Sequence, residues 1–201
     1  MHQRVGMVTF LVFLLAFFSY FFIDLSVAQF FYETHSPIKE LFSQYITKLG
    51  KSEWILITSI AVYLFYRVKN TSFAQQGLFI FTSIALSGIL VNILKTIFSR
   101  YRPKAYFQDD LFGFDVFAFK TQYVFNSFPS GHSATAMGLA VALMLLFPKY
   151  RILAFLFGVI VASSRFIITA HYVSDVFMGS LLGGLVSYGL YYMYFQKKII
   201  Y

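Results

Sequence analysis

The chain has 201 residues, of which 59% are hydrophobic and only 12% charged, with a net charge of +8 and no cysteine. That is too little polar material to solvate a globule of this length, so lipid must be the solvent for most of it. The basic surplus stands at the ends of apolar runs rather than on one solvated face, which excludes nucleic acid as a partner, and the missing cysteine excludes disulfides, thiolate metal sites and cysteine nucleophiles.

A transmembrane helix needs about 20 mostly apolar residues. Val5 to Ile23 supplies the first. Ser26-Val27-Ala28 behind it looks somewhat like a signal cleavage site, but the apolar run exceeds the usual length for a leader and the chain begins at Met1, so this span is expected to be retained. Between Asp24 and Glu53, residues Ile38, Leu41, Phe42, Tyr45, Ile46 and Leu49 recur at helical spacing among Lys39, Glu40 and Lys48. That pattern predicts an amphipathic helix lying on the membrane surface after the first span, with a helical extension of the second span as the alternative. The second span, Trp54 to Tyr66, is short and is expected to borrow residues from Thr47 onward.

Phe73 to Phe98 is the third span, followed by an aromatic-rich loop over residues 104–128 that either covers a site or forms an interfacial aromatic belt. Its Asp109, Asp110 and Asp115 read as solvated carboxylates. Ser133 to Phe147, which can begin at Ser130, then Ile152 to Ala170 and Tyr172 to Phe195 complete the expected fold, an all-α integral membrane bundle of six spans. No repeat or linker divides the chain, so residues 1–201 read as a single domain. His2 and His35 have no partners in sequence and read as incidental.

With the amino terminus in the cytoplasm, the inner segments carry Arg4, Arg67, Lys69, Lys149, Arg151, Lys197 and Lys198 and no acid. Short basic inner loops are what the positive-inside rule expects. Both termini are then cytoplasmic, and three polar clusters share the outer face.

The first cluster is Lys95 to Arg102-Pro103. A charge at membrane depth is costly and defaults to function, and Lys95 and Arg102 share a face if the helix continues, although Pro103 biases Arg102 out of it. Snorkelling at a helix end suits Arg100 and Lys104. The second cluster is Pro129-Ser130-Gly131-His132, where a helix amino terminus offers unpaired N–H groups to an anion and Gly131 allows close approach; Ser130 as a plain N-cap is the simpler reading. The third is Ser164-Arg165, His171 and Asp175. His171 and Asp175 share a face if the last helix has started there, so the carboxylate can orient the imidazole and leave its other nitrogen as a nucleophile; a structural pair or half a metal site are the alternatives. Three cations, a helix amino terminus, an Asp-oriented His and a second His form the inventory that phosphoryl transfer needs. Metal-free chemistry is favoured, because cations already stand where a metal would.

These motifs, Lys95 with Arg102-Pro103, Pro129-Ser130-Gly131-His132, and Ser164-Arg165 with His171 and Asp175, resemble the three signatures of the type 2 phosphatidic acid phosphatase superfamily in order and spacing. The resemblance implies that His171 attacks phosphorus to form a phosphohistidine, that Asp175 orients it, and that His132 protonates the leaving alkoxide and then activates water. It implies that Lys95, Arg102, Ser130, Gly131 and Arg165 bind the phosphate, with no metal and no cofactor. The expected partners are a lipid phosphate substrate and the bilayer, with no protein partner implied. Substrates of the family include undecaprenyl pyrophosphate, phosphatidylglycerol phosphate, phosphatidic acid and the phosphates of lipid A. A lipid phosphotransferase, or a non-catalytic lipid-binding or transport protein on the same scaffold, is the competing reading. The expected location is a bacterial cytoplasmic membrane, with the active site on its extracytoplasmic face.

Overall fold

In lipid, a chain satisfies its backbone polar groups by forming helices along its apolar runs. A computed structural model describes residues 2–200 and places them in α1 (His2–Phe22), α2 (Asp24–Glu33), α3 (Pro37–Gln44), α4 (Ser52–Tyr66), α5 (Thr71–Phe98), α6 (Pro103–Asp109), α7 (Gly131–Leu146), α8 (Arg151–Ile167), α9 (Val173–Leu190) and α10 (Gln196–Ile200). Among the described residues there is no strand, only an isolated bridge between Arg100 and Phe114. The side chain of His2 lies outside the described residues.

Among the described residues, four stretches are long and apolar enough to cross a membrane: Gln3–Phe22, Thr71–Phe98, Pro148–Ile167 and Val173–Ile199. The other two expected spans are shorter, α4 with 15 residues and α7 with 16. At about 1.5 Å per residue they reach roughly 22 and 24 Å, against a hydrocarbon core of about 30 Å.

The predicted surface helix is interrupted. Ser36 caps α3, its Oγ accepting from Lys39 N at 3.2 Å, but the helix ends at Gln44 and a 3₁₀ turn, Ile46–Gly50, follows. The turn brings Gly50 against α7 and α8, where an added Cβ would lie 3.0 Å from Val161 Cγ1 and 3.4 Å from His132 Cδ2. A continuous helix does not provide that approach, so α4 starts at Ser52 and borrows nothing from Thr47 onward. Ile38, Leu41, Tyr45 and Leu49 stay exposed.

At the centre, α7 packs against α9, α8 and α5, with α4 outside α5 and α1 outside α9. The α7–α9 contact depends on small residues: a Cβ on Gly183 would fall 2.0 Å from Ala134 O, and one on Gly179 would fall 2.3 Å from Ser130 O. Ser187 Oγ donates to Gly138 O at 2.8 Å one turn further along. Backbones thus approach closely, as membrane helices do in the absence of a hydrophobic drive. Outward, Phe10, Phe13 and Phe17 of α1, Trp54 and Ile57 of α4, and Ile152 and Leu153 of α8 form an apolar girdle suited to lipid rather than water.

Candidate active site

The first motif is shaped by a chain reversal. α5 stops at Phe98, and Ser99 takes a left-handed conformation (φ 41°) with its N–H donating to Lys95 O at 2.9 Å. Arg102 is extended and Pro103 opens α6, where a missing N–H costs nothing. Lys95 and Arg102 therefore do not share one continuing helix. They meet because Lys95 Nζ and Arg102 Nη2 both donate to Asn126 O, the latter at 3.0 Å. Arg102 also donates from Nη1 to Ala170 O and to the Tyr123 hydroxyl, each at 3.0 Å, and lies 3.8 Å from the centre of the Tyr123 ring.

Ser130 is the N-cap of α7 and is fully buried, its Oγ accepting from Ser133 N at 3.4 Å and from Ser133 Oγ at 2.8 Å. A Cβ on Gly131 would meet only Val91 Cγ1, at 3.6 Å, so crowding by the protein is not what calls for glycine there. His132 follows in the first turn, half-buried against Gly50.

On the third motif, α8 ends at Ile167 and Thr169 turns the chain with φ 54°, so that Arg165 O accepts from both Ala170 N and His171 N, at 3.0 and 3.1 Å. Arg165 is buried and donates from Nη1 to Thr47 Oγ1 on the 3₁₀ turn. His171 precedes α9 rather than lying on it. Its Nδ1 still sits 3.7 Å from Asp175 Oδ2, with both side chains buried. That oxygen also accepts from Ser127 Oγ at 2.6 Å and from Tyr172 N at 3.0 Å, and the carbonyl of Asp175 accepts from Ser130 N at 3.0 Å. Burial, reinforced by Arg102, pushes the His171 imidazole well below its usual range, so the ring is neutral with a lone pair to offer.

All eight residues singled out from the sequence thus gather at one end of the α5, α7, α8 and α9 bundle. Others belong with them. Arg100 does not snorkel: it has no exposed surface and pairs with Asp24 and Asp175. Ser127 and Tyr123 hold motif residues without belonging to a motif, and Ser174 bonds to Arg100 and Asp24. The only hint in sequence was the position of Arg100 between Lys95 and Arg102. The aromatic loop divides in two: Phe112 and Phe114 face Arg100, whereas Phe117 and Phe119 are exposed. Asp109 and Asp110 are exposed as expected, and Asp115 pairs with Lys120. Among the described residues no three of His, Cys, Asp and Glu gather as metal ligands would.

The model of the PAP2 superfamily matches residues 76–199. The chain is 32% identical over 167 residues to the lipid A 1-phosphatase of Rhizobium etli, covering 77% of this chain and 71% of that protein. It is 26% identical over 146 residues to the undecaprenyl-diphosphatase of Sulfolobus acidocaldarius, covering 72% and 65%. The crystal structure of the first transmembrane PAP2 type phosphatidylglycerolphosphate phosphatase from Bacillus subtilis superposes with a TM-score of 0.67 over 96% of both chains at 25% identity. The crystal structure of Aquifex aeolicus LpxE shares the fold, with a TM-score of 0.62 at 23% identity over 83% of this chain and 93% of that one.

Proposed function

The chain belongs to the PAP2 superfamily, and we propose that it removes phosphate from a membrane lipid through a phosphohistidine on His171. It is an integral membrane protein and a phosphate-ester hydrolase, as its relatives' names indicate. The observation that supports the mechanism is the direct bonding that ties motif residues to segments distant in sequence: Arg102 to Ala170 O, and Ser130 N and Ser127 Oγ to Asp175.

Neutral His171, steadied through Nδ1 by Asp175, attacks phosphorus with Nε2. The P–O bond to the lipid breaks as the P–N bond forms, and His132 gives the departing alkoxide its proton. His132 then takes a proton from water, whose oxygen displaces the imidazole and releases phosphate. Lys95, Arg102, Arg165, Ser130 and the Gly131 N–H hold the phosphoryl oxygens, whose charge is spread in a loose transition state. All six spans cross the bilayer in this reading, α4 and α7 included, with both termini in the cytoplasm and one domain spanning the chain. α3 and the 3₁₀ turn lie at the outer surface. Lipid A bearing a 1-phosphate heads the substrate panel, because two relatives of 32% identity carry that activity in their names.

The test is phosphate release by purified protein on that panel, with product analysis to separate hydrolysis from transfer to an acceptor lipid. H171A is expected to release nothing and to form no acid-labile, base-stable phosphoprotein. H132A should form the phosphoprotein about 10²- to 10⁴-fold more slowly from an alkyl phosphate, the scale of general acid catalysis, and far less so from p-nitrophenyl phosphate, whose leaving group needs no proton. Equal losses on both substrates would remove His132 from the acid role.

A further inference from the structure

A buried charge cluster joins α2 to the nucleophile. The Arg100 guanidinium is enclosed by the rings of Tyr20, Phe112, Phe114 and Tyr172, with centroids 5.0, 5.6, 4.9 and 4.5 Å away. Its Nη1 donates to Ser174 Oγ at 2.7 Å and to Asp175 Oδ1, and its Nη2 donates to Asp24 Oδ2 at 2.7 Å. Asp24 closes the ring: Oδ1 accepts from Ser174 N at 2.9 Å and Oδ2 from Ser174 Oγ. An acid at the head of α2 therefore caps the first turn of α9, where Asp175 sits.

The two oxygens of Asp175 are consequently held apart in role. Oδ1 is fixed by Arg100, while Oδ2 faces Ser127, Tyr172 N and His171, so the carboxylate cannot rotate away from the imidazole. A guanidinium bound to Asp175 alone would draw charge from it and weaken its attraction for the His171 ring 3.7 Å away, and a second carboxylate beyond that guanidinium offsets this. Holding the fold together requires only one acid per buried arginine, and burying another carries its own desolvation cost. Burial opposes the charge on Arg100, but Asp175 and Asp24 outweigh it and the guanidinium stays protonated.

We infer that Asp24 and Arg100 are positioning residues for the reaction, acting through Ser174 and Asp175 to hold His171 in line with phosphorus. The inference rests on His171 being the nucleophile, and it makes α2, which precedes the family-matched residues 76–199, part of the catalytic apparatus. Besides Asp175, the charges around His171 are Arg102, Lys95 and Arg165, and these bond to Asn126, Ala170 and Thr47 rather than to Asp24. Phosphate binding and nucleophile placement are therefore separable.

The experiment compares parent, D24N, S174A and H171A in detergent, reading kcat, the rate of phosphoprotein formation and inhibition by inorganic phosphate. D24N should lower kcat and phosphoprotein formation by about 10- to 100-fold, by analogy with the loss of partners that orient metal-binding side chains, with phosphate inhibition unchanged. S174A keeps both charges and decides the matter if D24N does not fold; it should lose less, in the same pattern. Folded D24N or S174A forming phosphoprotein at the parental rate would overturn the inference, as would a loss matched by weakened phosphate inhibition. Activity in H171A would overturn the functional reading instead.

Discussion

His171 enters the folded state as a neutral ring, and this has a measurable consequence. In the unfolded chain the imidazole titrates near its ordinary value of 6.5, whereas in the fold it lies well below that value. Beneath pH 6.5 the unfolded chain takes up a proton that the native state excludes. The stabilisation is therefore present in full above that pH and is lost as pH falls toward the folded value, with a limiting slope of about 1.4 kcal/mol per pH unit. The melting temperature in detergent should drop more steeply between pH 6.5 and 5 for the parent than for H171N. Parallel curves would mean that the ring is not held neutral. The motif residues were legible because each is a polar group where hydropathy demands an apolar one. Arg100 was not, because a helix-end arginine that snorkels and one that is buried have the same local sequence. What separates them is Asp24, 76 positions earlier, and Asp175, 75 positions later. No periodicity links those sites.

Among the elements, the α7–α9 interface has the least tolerance. A methyl group at Gly183 would overlap the carbonyl of Ala134, a backbone atom that cannot swing aside as a side chain could. G183A is expected to cost about 1–3 kcal/mol, as overpacking does, and G189A, with nothing within 4 Å, should be neutral or better. Thermal midpoints of the two variants in one detergent check this, and equal midpoints would refute close packing at Gly183. Apolar runs gave the long helices to within a few residues, since lipid leaves the backbone no alternative. The stretch from Ile38 to Gly50 was harder to read. Its apolar spacing fits a continuous helix, and what breaks it is the fit of Gly50 against Val161 and His132, a tertiary contact that helical spacing does not record.

For the molecule as a whole, the proposed orientation puts Lys120 outside and Lys149 inside. The chain has no cysteine, so single replacements report cleanly. K120C in intact spheroplasts should react with a membrane-impermeant maleimide, and K149C only after permeabilisation; the reverse pattern would invert the topology. The short α4 carries a further consequence for substrate access. In the proposed orientation its 15 residues fall roughly 8 Å short of the hydrocarbon thickness at about 1.5 Å per residue. A mismatch of that size can be relieved by thinning the bilayer beside the helix, whose Trp54 and Ile57 face outward. Outer-leaflet headgroups next to α4 would then sink toward Gly50 and His132, and a lipid phosphate would reach the site by sliding within its own leaflet, with its chains still solvated by their neighbours.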